Sequence, residues 1–164
     1  MSEQTSLKVE PRIVDRNAFN VAGLRYAGSN QHGEIPTLWD TFIPRISELQ
    51  LVAQPDHKWY GVCRTLPAGS HEEGFEYLAC VEVPSLAALP HGMVLWEVPA
   101  LTYAVLPVNG VAGIAPACDY FYGQWLPKSI IYAPFDGPML EEYPPDFPND
   151  PTIYLYFPVQ AREE

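Results

Sequence analysis

Two adjacent carboxylates, Glu141 and Glu142 in the segment GPMLEEY (137–143), are the strongest candidates for chemistry in this sequence. They fall in a stretch that reads as a half-buried strand, where neighbours point to opposite sides and only one can enter a given cleft. A carboxylate on the buried side is costly unless it is paired or used, because desolvation disfavours its charged form and raises its pKa. A cationic ligand would supply the missing partner; a Glu141 that faces solvent beside Glu142 is the plainer alternative. Around such a carboxylate, flat aromatic faces could stack on a planar ligand or hold a cation. Trp39, Tyr77, Tyr103 and Trp125 fall on helix faces or inner strands and are the candidates for that lining, with core packing as the competing role of each. Phe42 is assigned to the core.

Other chemistries find little support. His32, His57, His71 and His91 stand apart, with no HxxxH or HxH spacing and no neighbouring cysteine pair, so no metal site is expected. Ser29, Ser70, Ser85 and Ser129 form no G-x-S-x-G elbow, and no G-x-x-x-x-G-K-[ST] loop is present to cradle a phosphate. No cofactor is expected. Glu82 alternates with Val81 and Val83 and is read as facing the solvated side of its strand. Cys63, Cys80 and Cys118 show no CxxC spacing, and their odd number argues for free thiols in a reducing cytosol.

The elements that must position these residues belong to one folded domain. The 164 residues are 48% hydrophobic and 18% charged, which excludes the disordered class and is enough chain to bury a core. A net charge of -11, from 9 basic and 20 acidic residues, repels a phosphate backbone, so direct nucleic-acid binding is not expected. From Glu97 onward only Lys128 and Arg162 stand against nine acidic residues, an asymmetry that selects a cationic or neutral ligand. There is no apolar signal core at the N-terminus and no uninterrupted apolar run of about 18 residues, so a cytoplasmic protein without membrane contact is expected.

Prolines and glycines, 18 and 11 of them, punctuate the chain into short segments. Residues 12–27 read as a strand pair or one long bent strand, with Gly23 and Gly28 as bulge or turn positions. Ile35, Leu38, Phe42, Ile46 and Leu49 lie at helical spacing and predict an amphipathic helix over 34–49, kinked at Pro44. Strands are expected at 58–65 and 75–83. The pattern then recurs, with strands at 93–97 and 102–108, a helix over 111–125 with Ile114, Cys118, Phe121 and Trp125 on one face, and strands at 138–143 and 152–159. The order of elements repeats, with internal copies near 8–84 and 90–160. This predicts an α+β fold of two pseudo-twofold-related β-α-β-β modules, an antiparallel sheet with two helices flanking a central cleft.

The ordered set VAGLRYAG (21–28), TLWDTFIPRI (37–46), WYGV (59–62), FEYLACVEV (75–83), VPALTYAV (98–105), WLPKS (125–129) and GPMLEEY (137–143), ending in FPV (157–159), resembles the GyrI-like proteins, the effector-binding domain of AraC-type and MerR-type multidrug regulators. The resemblance runs from Arg12 to Val159. It implies a hydrophobic cleft that admits varied, often cationic, aromatic drugs, with the motif glutamate at its base. Either Glu141 or Glu142 could be that glutamate, and the E-x-Y spacing to Tyr143 favours Glu141. Leu140 stands where relatives commonly carry an aromatic residue, which implies a softer pocket wall. Met1 to Arg12 is too short for the helix-turn-helix domain of several relatives, so a stand-alone effector domain without DNA-binding output is expected.

Three functional classes are open to such a chain. The first is a binding module that captures amphipathic cationic or aromatic molecules, for sequestration or signalling, through Glu141, Trp39, Tyr77, Tyr103 and Trp125. The second rests on the resemblance, since some stand-alone GyrI-like proteins hydrolyse cyclopropane-bearing alkylating natural products. There Glu141 would direct a water at the strained ring, while Tyr103 or Tyr77 orients the substrate. The third is gyrase inhibition by protein contact, to which no segment of the chain points.

Overall fold

The computed structural model describes residues 10–49, 58–66, 69–84 and 89–163. Among them nine strands form one sheet: β1 (Arg12–Arg16), β2 (Phe19–Gly28), β3 (Trp59–Thr65), β4 (Phe75–Val83), β5 (Val94–Val98), β6 (Leu101–Asn109), β7 (Tyr132–Pro134), β8 (Met139–Tyr143) and β9 (Thr152–Ala161). Their order is β1-β6-β9-β8-β3-β4-β2-β5, with the short β7 added on β9, and every pairing is antiparallel. The sequence pattern places eight of these within a residue or two. β7 has three residues, too few to show alternation, and was not expected.

With α1 formed by Glu34–Phe42 and Ile43–Leu49, and α2 by the helical segments from Val111–Gly113 to Leu126–Lys128, the two modules are β2-α1-β3-β4 and β6-α2-β8-β9, side by side, joined where β3 pairs with β8. The outermost strands are exchanged: β1 pairs with β6 of the second module, and β5 pairs with β2 of the first. Only Asn17 and Ala18 connect β1 to β2, and only Pro99 and Ala100 connect β5 to β6, yet each connected pair lies near opposite ends of the strand order. In a flat sheet β1 and β2 would be about 29 Å apart, at roughly 4.8 Å per strand. Two linking residues span only about 10 Å. The sheet must therefore curl into a trough that brings its two edges together.

Alternation along each strand fills both faces of the trough. Inside it, Val21, Tyr60, Val62, Leu78, Cys80, Tyr103, Val105 and Leu140 pack on one another. The outer face carries the helices. Ala22, Ala79 and Val81 of the first module meet Phe42 and Leu49, while Ala104, Leu155 and Phe157 of the second meet Ala117, Phe121 and Leu126. Trp39 and Trp59 touch both clusters and so sit on the seam between the modules.

Each helix is reshaped near a proline. α1 is α-helical over Glu34–Phe42 and tightens to a 3-10 helix over Ile43–Leu49, so the change comes one residue before Pro44, which can donate no hydrogen bond. α2 enters through a 3-10 turn at Val111–Gly113, runs as α-helix over Ile114–Tyr120, widens into a π-turn over Phe121–Trp125 and closes with Leu126–Lys128. It thus continues beyond the expected end at 125. The wide turn lies where Pro127 lacks an N–H to give. Gly23 is not a bulge: pairing runs unbroken through it to Cys80 and Val94. A Cβ there would overlap the carbonyl of Ala79, so close backbone approach is what requires glycine. Among the described residues no helix is long and apolar enough to cross a membrane.

Candidate functional site

β8 lies at the centre of the sheet, paired with β3 on one side and β9 on the other. Its alternation sends Met139, Glu141 and Tyr143 to the outer face, between the helices, and Leu140 and Glu142 into the trough. Leu140 is fully buried in the inner core. It is therefore no wall of a pocket over Glu141, because adjacent strand residues cannot face the same side.

Glu141 is held by neutral donors. The Tyr77 hydroxyl donates to its Oε1 at 2.6 Å and the Tyr143 hydroxyl donates to the same oxygen at 2.9 Å. Trp39 in turn donates from its indole Nε1 to the Tyr77 hydroxyl at 3.0 Å, which fixes the direction of that phenol. Gly61 pairs directly with Glu141, and a Cβ on Gly61 would collide with both the Tyr77 hydroxyl and Glu141 Oε1. The absent side chain is what lets the two groups meet. Tyr143 and Gly61 were not among the predicted site residues; the E-x-Y spacing signals the first, and nothing in a single sequence signals the second.

No cation lies within ion-pair distance of Glu141 among the described residues, and no donor there reaches its Oε2. Glu141 keeps partial exposure on the outer face of the sheet. Burial raises its pKa, and the two tyrosine hydrogen bonds pull it back only in part. Burial likewise raises Tyr77 and Tyr143, and the negative charge of Glu141 adds to the effect.

Aromatic rings and thiols surround Glu141. Trp39 stacks on Trp59 with ring centroids 6.3 Å apart and meets Tyr143 edge-on at 5.5 Å. Cys63 of β3 and Cys118 of α2 are half-buried and both close enough to Glu141 to sense its charge. Burial first, and Glu141 second, push Cys63 up to about 12 and Cys118 up to about 11. Both remain neutral thiols, unsuited to nucleophilic attack at physiological pH. Among the described residues no group of three His, Cys, Asp or Glu side chains is arranged to hold a metal ion.

The structure thus brings Glu141, Tyr77 and Trp39 together and leaves two predicted residues elsewhere. Tyr103 points into the trough, on the other side of the sheet from Glu141, packed edge-on against Tyr156. Trp125 stacks on Phe121 and Tyr132 and donates to Glu10, on the flank of α2 rather than over β8. Phe42 is fully buried in the core beneath α1.

The fold that sets Glu141 on a central strand between two helices is shared with known proteins. The family model of integron-associated effector-binding proteins, Cass2, matches residues 12–159. The chain belongs to the Cass2 effector-binding family. This Cass2 protein is 37% identical over 153 residues to the transcriptional regulator BrlR of Pseudomonas aeruginosa, an alignment covering 90% of this chain and 54% of BrlR. It therefore spans about half the length of that regulator. Solved structures with the same fold include SAV2435 bound to tetraphenylphosphonium, at a TM-score of 0.71 and 15% identity over 93% of this chain and 94% of that one. They also include the integron cassette protein of Vibrio cholerae, at a TM-score of 0.63 and 16% identity, covering 92% and 96%. The EcmrR C-terminal domain superposes with a TM-score of 0.66 and 16% identity, covering 93% and 98%. As members of an effector-binding family, such chains bind small molecules.

Proposed function

We propose that this protein captures aromatic organic cations in the groove over Glu141, with Glu141 as counter-ion and Trp39, Tyr77 and Tyr143 as the surrounding aromatic wall. One observation carries this reading. Glu76 and Glu142, the other two carboxylates drawn into the protein, are each met by two basic side chains, Arg25 and Arg64 for one and Arg16 and Lys58 for the other. Glu141 alone of the three has only neutral donors among the described residues. A charge kept without a partner in a low-dielectric site is costly, and a cation that fills the groove recovers that cost. The fold shared with SAV2435, whose structure carries tetraphenylphosphonium, supports the same ligand class. Titration with tetraphenylphosphonium and with neutral tetraphenylmethane-like analogues tests it: the cation binds at least about tenfold more tightly, a preference of roughly 1.4 kcal/mol. Equal affinity for the two removes Glu141 from the account.

A hydrolytic reading uses the same groove, and its support is that Tyr77 and Tyr143 hold the Glu141 carboxylate in place while burial raises its pKa and makes it a stronger proton acceptor. The orienting group is then Tyr77, which touches Glu141, in place of Tyr103, which the sheet separates from it. Turnover of a cyclopropane-bearing substrate that Glu141→Gln abolishes, with binding retained, decides for hydrolysis.

A further inference from the structure

The mouth of the trough is a second concave site, on the opposite side of the sheet from Glu141. A cavity of ≈ 660 Å³ opens there, within the range of drug-sized ligand pockets. Arg12, Arg16 and Lys58, three of the nine basic residues of the chain, line it together with Tyr60, Tyr156 and a short apolar wall. Asp15, Glu82 and Glu142 line it too, so the residue types alone balance.

The one buried acceptor there is spent, and two of the donors are not. Glu142 takes the Tyr60 hydroxyl at 2.8 Å, the Tyr156 hydroxyl at 3.3 Å, Arg16 at 3.4 Å and Lys58 at 3.5 Å. Asp15 accepts from the Thr102 hydroxyl at 2.6 Å, and Glu82 rests 3.6 Å from Arg16. On the other side, Arg12 makes no ion pair among the described residues, and Lys58 keeps 54% of its side chain exposed with one distant contact. The buried Tyr103 hydroxyl, behind Tyr156, finds no hydrogen-bond partner among the described residues. Arg16 is held rigidly over the rings of Phe19, Tyr60 and Tyr156, with its guanidinium 3.9 Å from the first. A chain of net charge -11 repels anions over most of its surface, whereas here Arg12 and Lys58 stand exposed beside aromatic faces, with Glu82 at 3.6 Å from Arg16 as the half-exposed carboxylate among them.

We propose that the trough mouth is a second binding site, for amphipathic organic anions such as aryl carboxylates, sulfonates or phosphate esters, with Arg12 and Lys58 meeting the anionic group and Tyr156 and Val14 the apolar body. It is independent of the groove over Glu141, and the two faces of one sheet then take ligands of opposite charge.

The probe is the fluorescent aryl sulfonate 1-anilinonaphthalene-8-sulfonate, titrated into the full chain, with the uncharged N-phenyl-1-naphthylamine as its comparison. The expected result is saturable sulfonate binding that weakens about tenfold in the double variant Arg12→Gln, Lys58→Gln, on the scale of two partly solvated charge contacts. Binding of the naphthylamine changes less than twofold in the same variant. Sulfonate binding is also retained in Glu141→Gln and is not displaced by tetraphenylphosphonium. A double variant that binds the sulfonate as the parent does, or displacement by tetraphenylphosphonium, overturns the proposal. Failure of tetraphenylphosphonium to bind at all, with the sulfonate result intact, sinks the groove reading and leaves this one standing.

Discussion

Glu141 and Glu142 share a strand and a neighbourhood of tyrosines, and they are held in opposite ways. Glu142, inside the trough, takes two hydroxyls and two cations and is buried with its charge compensated. Glu141, on the outer face, takes two hydroxyls on one oxygen and no cation among the described residues. The difference separates a structural carboxylate from an available one. Fixed cations consume the charge, whereas neutral phenols fix the position of the carboxylate and leave its charge to be neutralised by something else. Glu76 follows the first pattern: burial would raise its pKa, but Arg64 and Arg25 overcome that and lower it.

The largest effect on stability is expected from Glu142→Gln, which leaves Arg16 in the trough without its carboxylate and costs about 2–3 kcal/mol, less than a fully buried pair because Arg16 keeps some solvent and Glu82 remains near. Guanidinium denaturation measures it. Glu141→Gln, run beside it at neutral pH, does not lower stability; equal losses for the two would erase the contrast. Gly61→Ala comes next. Its methyl collides with the Tyr77 hydroxyl and Glu141, so it costs about 1–3 kcal/mol of stability and the larger part of cation binding.

For ligand binding, Glu141→Gln weakens aromatic cations by about 1–3 kcal/mol and leaves neutral analogues nearly unchanged. The pH dependence has a definite sign. Because the folded pKa of Glu141 is raised, the folded state holds this proton to higher pH than the unfolded chain does. Its contribution to stability is present below the unfolded carboxylate pKa and is lost as pH rises through the folded value, while cation affinity rises over the same interval. Glu141→Gln flattens both profiles in calorimetric titrations across that range. The smallest effect belongs to Tyr103→Phe, which removes a buried hydroxyl that bonds to nothing among the described residues. Its unfolding free energy stays within about 0.5 kcal/mol of the parent or rises.

Legible in the sequence was whatever local periodicity encodes. Strands with five or more residues announced themselves by alternation, and both helices by spacing, although Pro44 and Pro127 reshaped them in ways that spacing does not show. That Glu141 and Glu142 face opposite sides was legible because strand neighbours must diverge, and Tyr143 shares the side of Glu141, but which side meets the helices stayed open. Tyr103 was placed on the wrong face because alternation tells which residues of β6 share a side, not which side meets the helices; that is set by pairing with β1 and β9, far away in the chain. Trp125 was read on a regular helix, and the extra residue of a π-turn rotates the end of the helix away from the expected direction. Gly61 was not legible, since its role is to leave room for two side chains from other strands.

The exchanged edge strands carry a mechanical consequence. The first module is bordered by β5, which leads into the second, and the second by β1, which leads into the first, each across a two-residue link. Two lobes buttoned together in this way cannot swing apart like the jaws of a clamshell around a guest. If the groove proposed over Glu141 adjusts to ligands of different girth, the change would fall to α1 and α2 above the sheet, not to an opening of the sheet itself.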